Sequence, residues 1–277
     1  MPATPASPKP GDSVPAARAL VTGGARRLGR AMALHLAERG FDVAVHYAGS
    51  REAAGEVAGL IRDRGRKAAT VRADLTVEAE TQGLVPAAME ALGGPLGVLV
   101  NNASIFEYDT LDSADRDGWD RHMESNLRAP FVLTQELAAH LPEPAPDATG
   151  EPLAPGLVVN MIDQKVRKLT PEHMTYTIAK AGLWTFTQIA AQALGKRCRV
   201  NAIGPGPTLQ GARQPERNFQ RQREATILER GSNPADICAA LGYFLDAPAV
   251  TGQMLCVDGG QHLIWQTADE MGVPGQS

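Results

Sequence analysis

The chain has 277 residues, of which 43% are hydrophobic and 21% charged, and its formal net charge is −4. This composition can fill one sizeable core, and the weak negative charge predicts no general attraction to nucleic acid or to an anionic membrane. No apolar run reaches the ~18 residues that a membrane-spanning helix needs. The 3 cysteines are widely spaced, which is typical of reduced thiols and indicates a cytoplasmic protein.

The two ends of the chain differ in composition from the rest. Residues 1–15 contain five prolines and almost no large apolar side chains, so this segment cannot bury enough surface to offset its ordering entropy. We expect a flexible N-terminal arm over 1–15, one folded domain over 16–264 and a C-terminal tail over 265–277.

Within this domain, short runs rich in Val, Leu and Ile alternate with helical patterns. In chain order, the predicted elements are strand 17–21, helix 28–39, strand 43–47, helix 51–64, strand 67–72, helix 77–92, strand 96–101, helix 116–140, strand 156–162, helix 175–194, strand 197–203, helix 234–245 and strand 253–257. Strands that are apolar throughout suit a parallel sheet covered on both faces. The pattern therefore predicts a single-domain α/β fold, a doubly wound parallel β-sheet with helices on both faces.

A glycine-rich turn joins the first predicted strand to the first helix. Gly23 permits the tight turn, and Gly29 permits close packing of the helix, whose N-terminus offers free N–H groups to a phosphate. Arg26 and Arg27 add positive charge, and Leu28 begins the helix. The strand before the turn and the helix after it favour a dinucleotide site over a plain left-handed turn.

The second predicted strand ends without the acidic side chain that usually holds the ribose 2′-hydroxyl of NAD. It is followed by polar and basic residues instead, namely His46, Tyr47, Ser50 and Arg51. We predict that these residues favour NADPH, the alternative being that Arg51 is a solvated surface residue.

Two further strand ends are expected to contact the nucleotide, because a doubly wound sheet gathers its ligand contacts there. Asp74 and Leu75 follow the third strand. Asn102, Ala103 and Ser104 follow the fourth strand.

Tyr176 and Lys180 are one helical turn apart, so they share a face of their predicted helix. The ammonium of Lys180 is expected to lower the pKa of Tyr176 from its free value of ~10, and to reach a nicotinamide ribose. Alone, such a pair is most often a packed ring beside a solvated amine. Together with the glycine turn, Asn126 and the strand-end residue Asp163, it favours a reductase in which Tyr176 donates a proton.

On these residues the chain resembles the short-chain dehydrogenase/reductase family over about residues 16–264. The family's Thr-Gly-x-x-x-Gly-x-Gly turn begins at Thr22, and its catalytic Asn, Tyr and Lys map onto Asn126, Tyr176 and Lys180. The resemblance implies a Rossmann-like fold, a homotetramer, and a border of the nicotinamide site at Pro205 and Gly206.

Three departures from the family pattern, Arg27, Ser104 and Asp163, resemble its pteridine reductase branch, which includes dihydromonapterin and alternative dihydrofolate reductases. Phe106 matches a position that sandwiches the pterin ring there. An ionised Asp163 cannot donate to a carbonyl oxygen, but it can accept from the ring N–H and amino groups of a pterin. We therefore predict NADPH-dependent hydride transfer to a pteridine C=N bond, with Tyr176 as proton donor and these residues around the substrate.

Two other functions remain open on the sequence. The first is an NADPH-dependent carbonyl reductase for an oxoacyl or sugar-like substrate, and the second is a non-catalytic nucleotide-sensing protein of the same fold, which the presence of both Tyr176 and Lys180 disfavours. The 6 histidines are scattered without metal-ligand spacing, so no metal site is predicted. The Arg- and Gln-rich segment 210–230 is expected to form a mobile substrate lid, with arginines that face water.

Overall fold

The computed structural model describes residues 17–211 and 214–265. The expected arm over 1–15 lies outside the described residues, as does the expected tail apart from Trp265. The strands are β1 (Arg18–Val21), β2 (Asp42–Tyr47), β3 (Ala68–Arg72), β4 (Val98–Asn101), β5 (Ala145–Pro146), β6 (Pro152–Leu153), β7 (Gly156–Met161), β8 (Cys198–Pro205) and β9 (Met254–Val257). The α-helices are α1 (Arg27–Glu38), α2 (Arg51–Arg62), α3 (Glu78–Leu92), α4 (Arg116–Met123), α5 (Ala129–Ala139), α6 (Met174–Leu194), α7 (Glu216–Glu224) and α8 (Pro234–Asp246).

In the described chain, seven strands form one sheet in the order β3-β2-β1-β4-β7-β8-β9. Every neighbouring pair in this sheet is parallel. The strand order reverses at β1, which pairs with β2 on one side and β4 on the other. The predicted doubly wound α/β fold is confirmed, and the reversal creates a crevice beyond the carboxyl ends of β1 and β4.

Apolar side chains from both faces of the sheet build the core. Along β1, Ala19 and Val21 pack in one cluster with α1, α2 and α8, whereas Leu20 packs in another with α3, α5 and α6. This alternation follows from the pleat of a strand, which points successive side chains to opposite faces. Because both faces are covered, β2 and β7 are buried along their whole length.

The single long helix predicted over 116–140 is interrupted. A π-helical turn over Glu124–Arg128 separates α4 from α5. Pro130 has no N–H to donate to the carbonyl of Asn126 four residues earlier, and its ring crowds that carbonyl, so the backbone widens there. The prediction missed this turn, which contains Asn126.

Two segments that contain no predicted strand or helix have regular structure. The connection between α5 and β7 includes an antiparallel pair, β5 with β6. The expected lid includes the helix α7. Among the described residues, no helix is both long and apolar enough to cross a membrane.

Candidate active site

A cleft of about 560 Å³ opens beyond the carboxyl ends of β1, β4, β7 and β8. The turn before α1, the loop after β4 and the segments after β7 and β8 form its walls, and α6 contributes Tyr176 and Lys180. An outer cavity of about 1150 Å³ shares Phe106, Asp163 and Gly206 with the cleft. The cleft therefore lies at the switch point, where a doubly wound sheet binds its ligands.

The glycine turn fits tightly against the loop after β4. Gly23 has a φ of +59°, which glycine adopts without a steric penalty. A Cβ on Gly29 would lie 2.1 Å from the carbonyl oxygen of Gly23 and 2.6 Å from Nδ2 of Asn102. Only glycine lets α1 begin this close to the turn, so the first residues of α1 line the cleft.

Arg27 stands where the family pattern has its middle glycine and keeps a left-handed backbone, with a φ of +51°. Its guanidinium donates to the carbonyl oxygens of Leu209 at 3.0 Å and Gln210 at 2.9 Å. Arg27 therefore ties the glycine turn to the segment after β8, at the start of the expected lid. Arg26 and Leu28 also line the cleft.

His46, near the end of β2, makes a hydrogen bond to the glycine turn. Its Nδ1 accepts from the backbone N–H of Gly23 at 2.9 Å, and its Nε2 lies 3.0 Å from the carbonyl oxygen of Ala73. An N–H group can only donate, so Nδ1 carries no proton and the neutral ring donates from Nε2 to Ala73. Burial lowers the pKa of His46, which favours this neutral form.

The loop after β4 is fastened to β1 by Thr22, a residue absent from the predicted site. The Thr22 hydroxyl oxygen accepts from the backbone N–H groups of Asn102 at 2.8 Å and Ala103 at 2.9 Å. In return, Nδ2 of Asn102 donates to the Thr22 carbonyl at 2.8 Å. The predicted nucleotide residues Asn102 and Ala103 thus border the cleft on a fixed backbone.

Five predicted nucleotide residues do not line the cleft, namely Tyr47, Ser50, Arg51, Asp74 and Leu75. Tyr47 and Leu75 are buried in the two core clusters. The Asp74 carboxylate accepts from the backbone N–H and the hydroxyl of Thr76, and these bonds lower its pKa. Arg51 is exposed at the start of α2. The structure brings to the wall of the cleft none of the residues predicted after β3, and only His46 of those predicted at the end of β2.

Tyr176 and Asp163 form the centre of the cleft. The Tyr176 hydroxyl donates to Oδ2 of Asp163 at 3.0 Å, while Oδ1 accepts from the backbone N–H of Lys165 at 2.8 Å. Burial raises the pKa of Asp163. Burial and the neighbouring Asp163 charge also raise the pKa of Tyr176 well above 10, against a small opposing effect of a hydrogen bond from Ser104.

The expected lowering of the Tyr176 pKa by Lys180 is therefore wrong. Nζ of Lys180 lies 5.7 Å from the centre of the Tyr176 ring, but it donates to the Met161 carbonyl oxygen at 2.7 Å. Burial lowers the pKa of Lys180 to about 8. Tyr176 consequently stays protonated at neutral pH, which is the form that a proton donor needs.

The Asn126 side chain makes two hydrogen bonds to the backbone of the loop after β4. Its Oδ1 accepts from the backbone N–H of Ile105 at 2.9 Å, and its Nδ2 donates to the Ile105 carbonyl at 2.9 Å. Ile105 lies between Ser104 and Phe106, so Asn126 holds the backbone that carries both predicted substrate residues. The structure does not bring its side chain into hydrogen-bond contact with Tyr176 or Lys180.

Phe106 lies at the boundary between the cleft and the outer cavity. Its ring is stacked on His173, with ring centres 4.2 Å apart, and meets the edge of Tyr176 at 4.7 Å. With 56% of its surface exposed, Phe106 can still offer area to a flat ligand.

The segment after β8 completes the cleft. Pro205 and Gly206 line it, and a Cβ on Gly206 would lie 2.6 Å from Cβ of Asp258. Arg223 of α7 donates to the carbonyl oxygens of Pro207, Gly231 and Ser232. The expectation that the lid arginines face water is therefore wrong for Arg223. Arg217 and Arg221 are exposed, and Arg213 lies outside the described residues.

Across the described part of the chain, no group of histidine, cysteine and acidic side chains could hold a metal ion. The three cysteines are free thiols. The chemistry of the cleft rests on a hydroxyl, a carboxyl and an ammonium group, beside a cradle suited to a phosphate. These features define a nucleotide-dependent oxidoreductase site on a Rossmann-like fold.

Comparison with known proteins agrees with this class. A family model described as enoyl-(acyl carrier protein) reductase matches residues 23–262. The 3-oxoacyl-[acyl-carrier-protein] reductase FabG of Staphylococcus aureus is 30% identical over 88% of this chain and 98% of its own length. The chain belongs to the short-chain dehydrogenase/reductase family.

Two solved structures also resemble the chain. FolM alternative dihydrofolate reductase 1 from Brucella canis, complexed with NADP, is 41% identical and covers 93% of this chain and 99% of its own, with a TM-score of 0.84. The angucycline C-6 ketoreductase LanV with bound NADP is 30% identical and covers 89% of this chain and 95% of its own, with a TM-score of 0.79. The likenesses therefore include both a folate reductase and a ketone reductase.

Proposed function

We propose that this protein is an NADPH-dependent reductase of a dihydropterin or dihydrofolate C=N bond, with Tyr176 as proton donor. The observation that carries the proposal is the hydrogen bond between Tyr176 and Asp163 at 3.0 Å. A carboxyl group in this place suits a nitrogen-rich ring, which offers N–H donors, better than a carbonyl oxygen, which needs a donor.

The residues of the cleft fit NADPH. The first residues of α1 line the cleft, so a phosphate can approach the N-terminus of that helix, where Arg26 and Arg27 add positive charge. When bound, this cofactor supplies the hydride. Asp42, at the start of β2, pairs with Arg66 at 2.9 Å, so it does not hold a ribose 2′-hydroxyl. The end of β2 itself consists of His46 and Tyr47 and carries no carboxylate, which supports a preference for NADPH.

The chain's own groups can move one proton to the substrate. Tyr176 holds its proton at neutral pH, because burial and the Asp163 charge raise its pKa. The Asp163 carboxylate accepts a hydrogen bond from the Tyr176 hydroxyl at 3.0 Å and so orients that proton until the ring nitrogen accepts it.

The substrate ring is proposed to lie between Phe106 and the nicotinamide site at Pro205 and Gly206. Phe106 supplies an exposed aromatic surface, and Ser104 and Arg27 border the same cleft. A flat ring is held best by such a surface, since stacking restricts it to one plane.

A carbonyl reductase is the second candidate function. Ser104 lines the cleft together with Asp163 and Tyr176, so a hydroxyl group that can donate to a substrate carbonyl is present despite Asp163. The likeness to FabG and to LanV supports this candidate as well.

A substrate panel separates the two candidates. NADPH consumption should be measured with dihydromonapterin, dihydrobiopterin and dihydrofolate, and with 3-oxoacyl and sugar-type ketones. We expect turnover of at least one reduced pterin. Turnover of ketones alone would overturn the pteridine proposal, whereas tight NADPH binding without any turnover would favour a nucleotide-sensing protein.

The substitution Asp163→Ser tests the residue on which the proposal rests. Serine supplies a hydroxyl donor and removes the acceptor, so we expect weaker pterin turnover and new or stronger ketone turnover. Asp163→Asn is the matched control for size. If Asp163→Ser leaves both activities unchanged, Asp163 does not select the substrate.

The family resemblance also leads us to propose a homotetramer in the cytoplasm. Light scattering coupled to size-exclusion chromatography measures the assembly directly, and a monomeric mass would contradict this part of the proposal.

A further inference from the structure

Four residues outside the predicted site form a continuous chain of hydrogen bonds beside Tyr176. We call them the brace: Glu107 and Asp109 from the loop after β4, His122 from α4, and Thr175 from α6. His122, Thr175 and Asp109 are buried, with 1%, 2% and 8% of their surface exposed. Unlike Tyr176, these three residues line neither the cleft nor the outer cavity.

The direction of each hydrogen bond in the brace follows from one obligate donor. The backbone N–H of Glu107 points to Nε2 of His122 at 3.2 Å, so Nε2 must accept and carries no proton. The neutral ring therefore donates from Nδ1 to the Thr175 hydroxyl oxygen, which lies 2.6 Å away. Thr175 in turn donates its own proton to Oδ2 of Asp109. Burial lowers the pKa of His122, consistent with a neutral ring.

Asp109 also caps the helix that carries Tyr176. The N-cap residue of α6 is His173, whose side chain makes no capping hydrogen bond. The Asp109 carboxylate accepts from the backbone N–H of Thr175 at 3.2 Å, and its carbonyl oxygen accepts from the N–H of His173 at 2.8 Å. A carboxylate 66 residues away in sequence thus satisfies the free N–H group next to Tyr176 and stabilises the positive end of the helix dipole.

The brace joins the two rings that face the cleft. Glu107 follows Phe106 in the chain, and Thr175 precedes Tyr176. The two rings meet edge to face at 4.7 Å. We propose that Asp109, His122 and Thr175 are positioning residues, which fix the Tyr176 hydroxyl relative to Phe106. This inference concerns Tyr176 whichever substrate it protonates, so it does not depend on the pteridine assignment.

Thr175→Val tests the brace, because valine keeps the shape of threonine and removes the hydroxyl. We expect kcat/KM for the substrate that the panel identifies to fall about tenfold or more, since a 1 Å misplacement of a reacting group can cost up to about a hundredfold. The Kd of NADPH should change less than about twofold. Thr175→Ser retains the hydroxyl and should restore kcat/KM to within about threefold of the natural protein.

The matched control is Thr187→Val in the same helix. Thr187 is also fully buried and hydrogen-bonded, to Asn160 and to the Leu183 carbonyl, but it lies three turns further along α6. We expect this variant to lower Tm while leaving kcat/KM within about twofold. Equal losses of kcat/KM in Thr175→Val and Thr187→Val would overturn the positioning role, as would failure of Thr175→Ser to restore activity.

A measurement without substrate keeps the test separate from the proposed function. Tyrosine labelled with 13C at the ζ carbon gives one NMR signal for each of the 4 tyrosines, and Tyr176→Phe assigns the signal of Tyr176. In the NADPH-bound enzyme, Thr175→Val should shift or broaden that signal, and Thr187→Val should not. An unchanged Tyr176 signal in Thr175→Val would contradict the inference even if no pterin is turned over.

Discussion

At the scale of single residues, the chemistry depends on how burial and a neighbouring carboxylate set the pKa of the Tyr176 hydroxyl. Tyr176 is 5% exposed and shares a hydrogen bond with Asp163. Desolvation disfavours the phenolate, and the adjacent carboxylate disfavours it further, so the pKa of Tyr176 rises. A site of this kind keeps its acid protonated until the substrate accepts the proton.

Tyr176→Phe removes only the hydroxyl of the proposed donor. We expect kcat to fall at least about a hundredfold, the lower end of the contribution of a positioned proton donor. NADPH fluorescence should show that the cofactor still binds, and an unchanged Tm should show that the fold is intact. A kcat close to that of the natural protein would exclude Tyr176 as the donor.

The pH dependence of activity should report Lys180. Burial lowers the pKa of Lys180 to about 8, so its positive charge is present below about pH 8 and is lost as the pH rises through that value. We expect kcat/KM for NADPH, which reflects the free enzyme, to decline above about pH 8.

Lys180→Arg is the control for this assignment. Arginine stays charged over the whole range, so its profile should lack the decline near pH 8 even if its maximum is lower. A decline at the same pH in this variant would mean that another group is responsible.

At the scale of elements, the cleft depends on close contact between three strand ends. The turn before α1 packs on the loop after β4, and the His46 ring of β2 accepts a hydrogen bond from Gly23 in that turn. The glycine spacing predicted this turn from sequence, because each glycine serves a local backbone requirement. The π-helical turn at Asn126 escaped prediction, although Pro130 four residues later was a local signal of it.

Gly29→Ala should disturb this packing. Its Cβ would lie 2.1 Å from a backbone oxygen, so the turn or the helix must move, at a cost typical of overpacking, roughly 1–3 kcal/mol. We expect a lower Tm and at least tenfold weaker NADPH binding, measured by fluorescence titration.

Gly59→Ala in α2 is the matched control. A Cβ there meets no atom within 4 Å, and alanine favours a helix interior by roughly 0.5–1 kcal/mol over glycine. We expect an equal or higher Tm and unchanged NADPH binding. If both variants bind NADPH equally well, Gly29 is not required for the cofactor site.

At the scale of the whole molecule, one sheet brings together residues that are far apart in the chain. Arg27 follows β1, Phe106 follows β4, and Asp163 and Tyr176 lie between β7 and β8. These three connections meet because the strand order reverses at β1. A ligand that spans the crevice contacts both halves of the sheet, so its binding should stabilise the whole domain.

Thermal unfolding measures this linkage. At a concentration 100 times its Kd, a ligand that binds only the folded state adds about 2.7 kcal/mol. We expect NADPH to raise Tm more than the same concentration of NADH, since no carboxylate lies at the end of β2 to hold the 2′-hydroxyl of NADH. A larger rise with NADH would contradict the proposed cofactor preference.

Features that depend on neighbours along the chain were predictable from the sequence alone. Strand and helix periodicity predicted the doubly wound sheet, the glycine spacing predicted the turn, and the four-residue spacing placed Tyr176 and Lys180 on one helix face. Each of these follows from local backbone geometry, which a short stretch of residues fixes.

The hydrogen-bond partners of those residues, in contrast, are set by how remote segments pack in the fold. Lys180 donates to Met161 instead of lowering the pKa of Tyr176, and Asp109 caps a helix 66 residues away. These outcomes depend on burial and on distances between remote segments, which set both the pKa values and the hydrogen bonds. Spacing along the chain indicates neither burial nor these distances. Tyr176 and Asp163 could therefore be identified from the sequence, but their hydrogen bond and its effect on the pKa of Tyr176 could not.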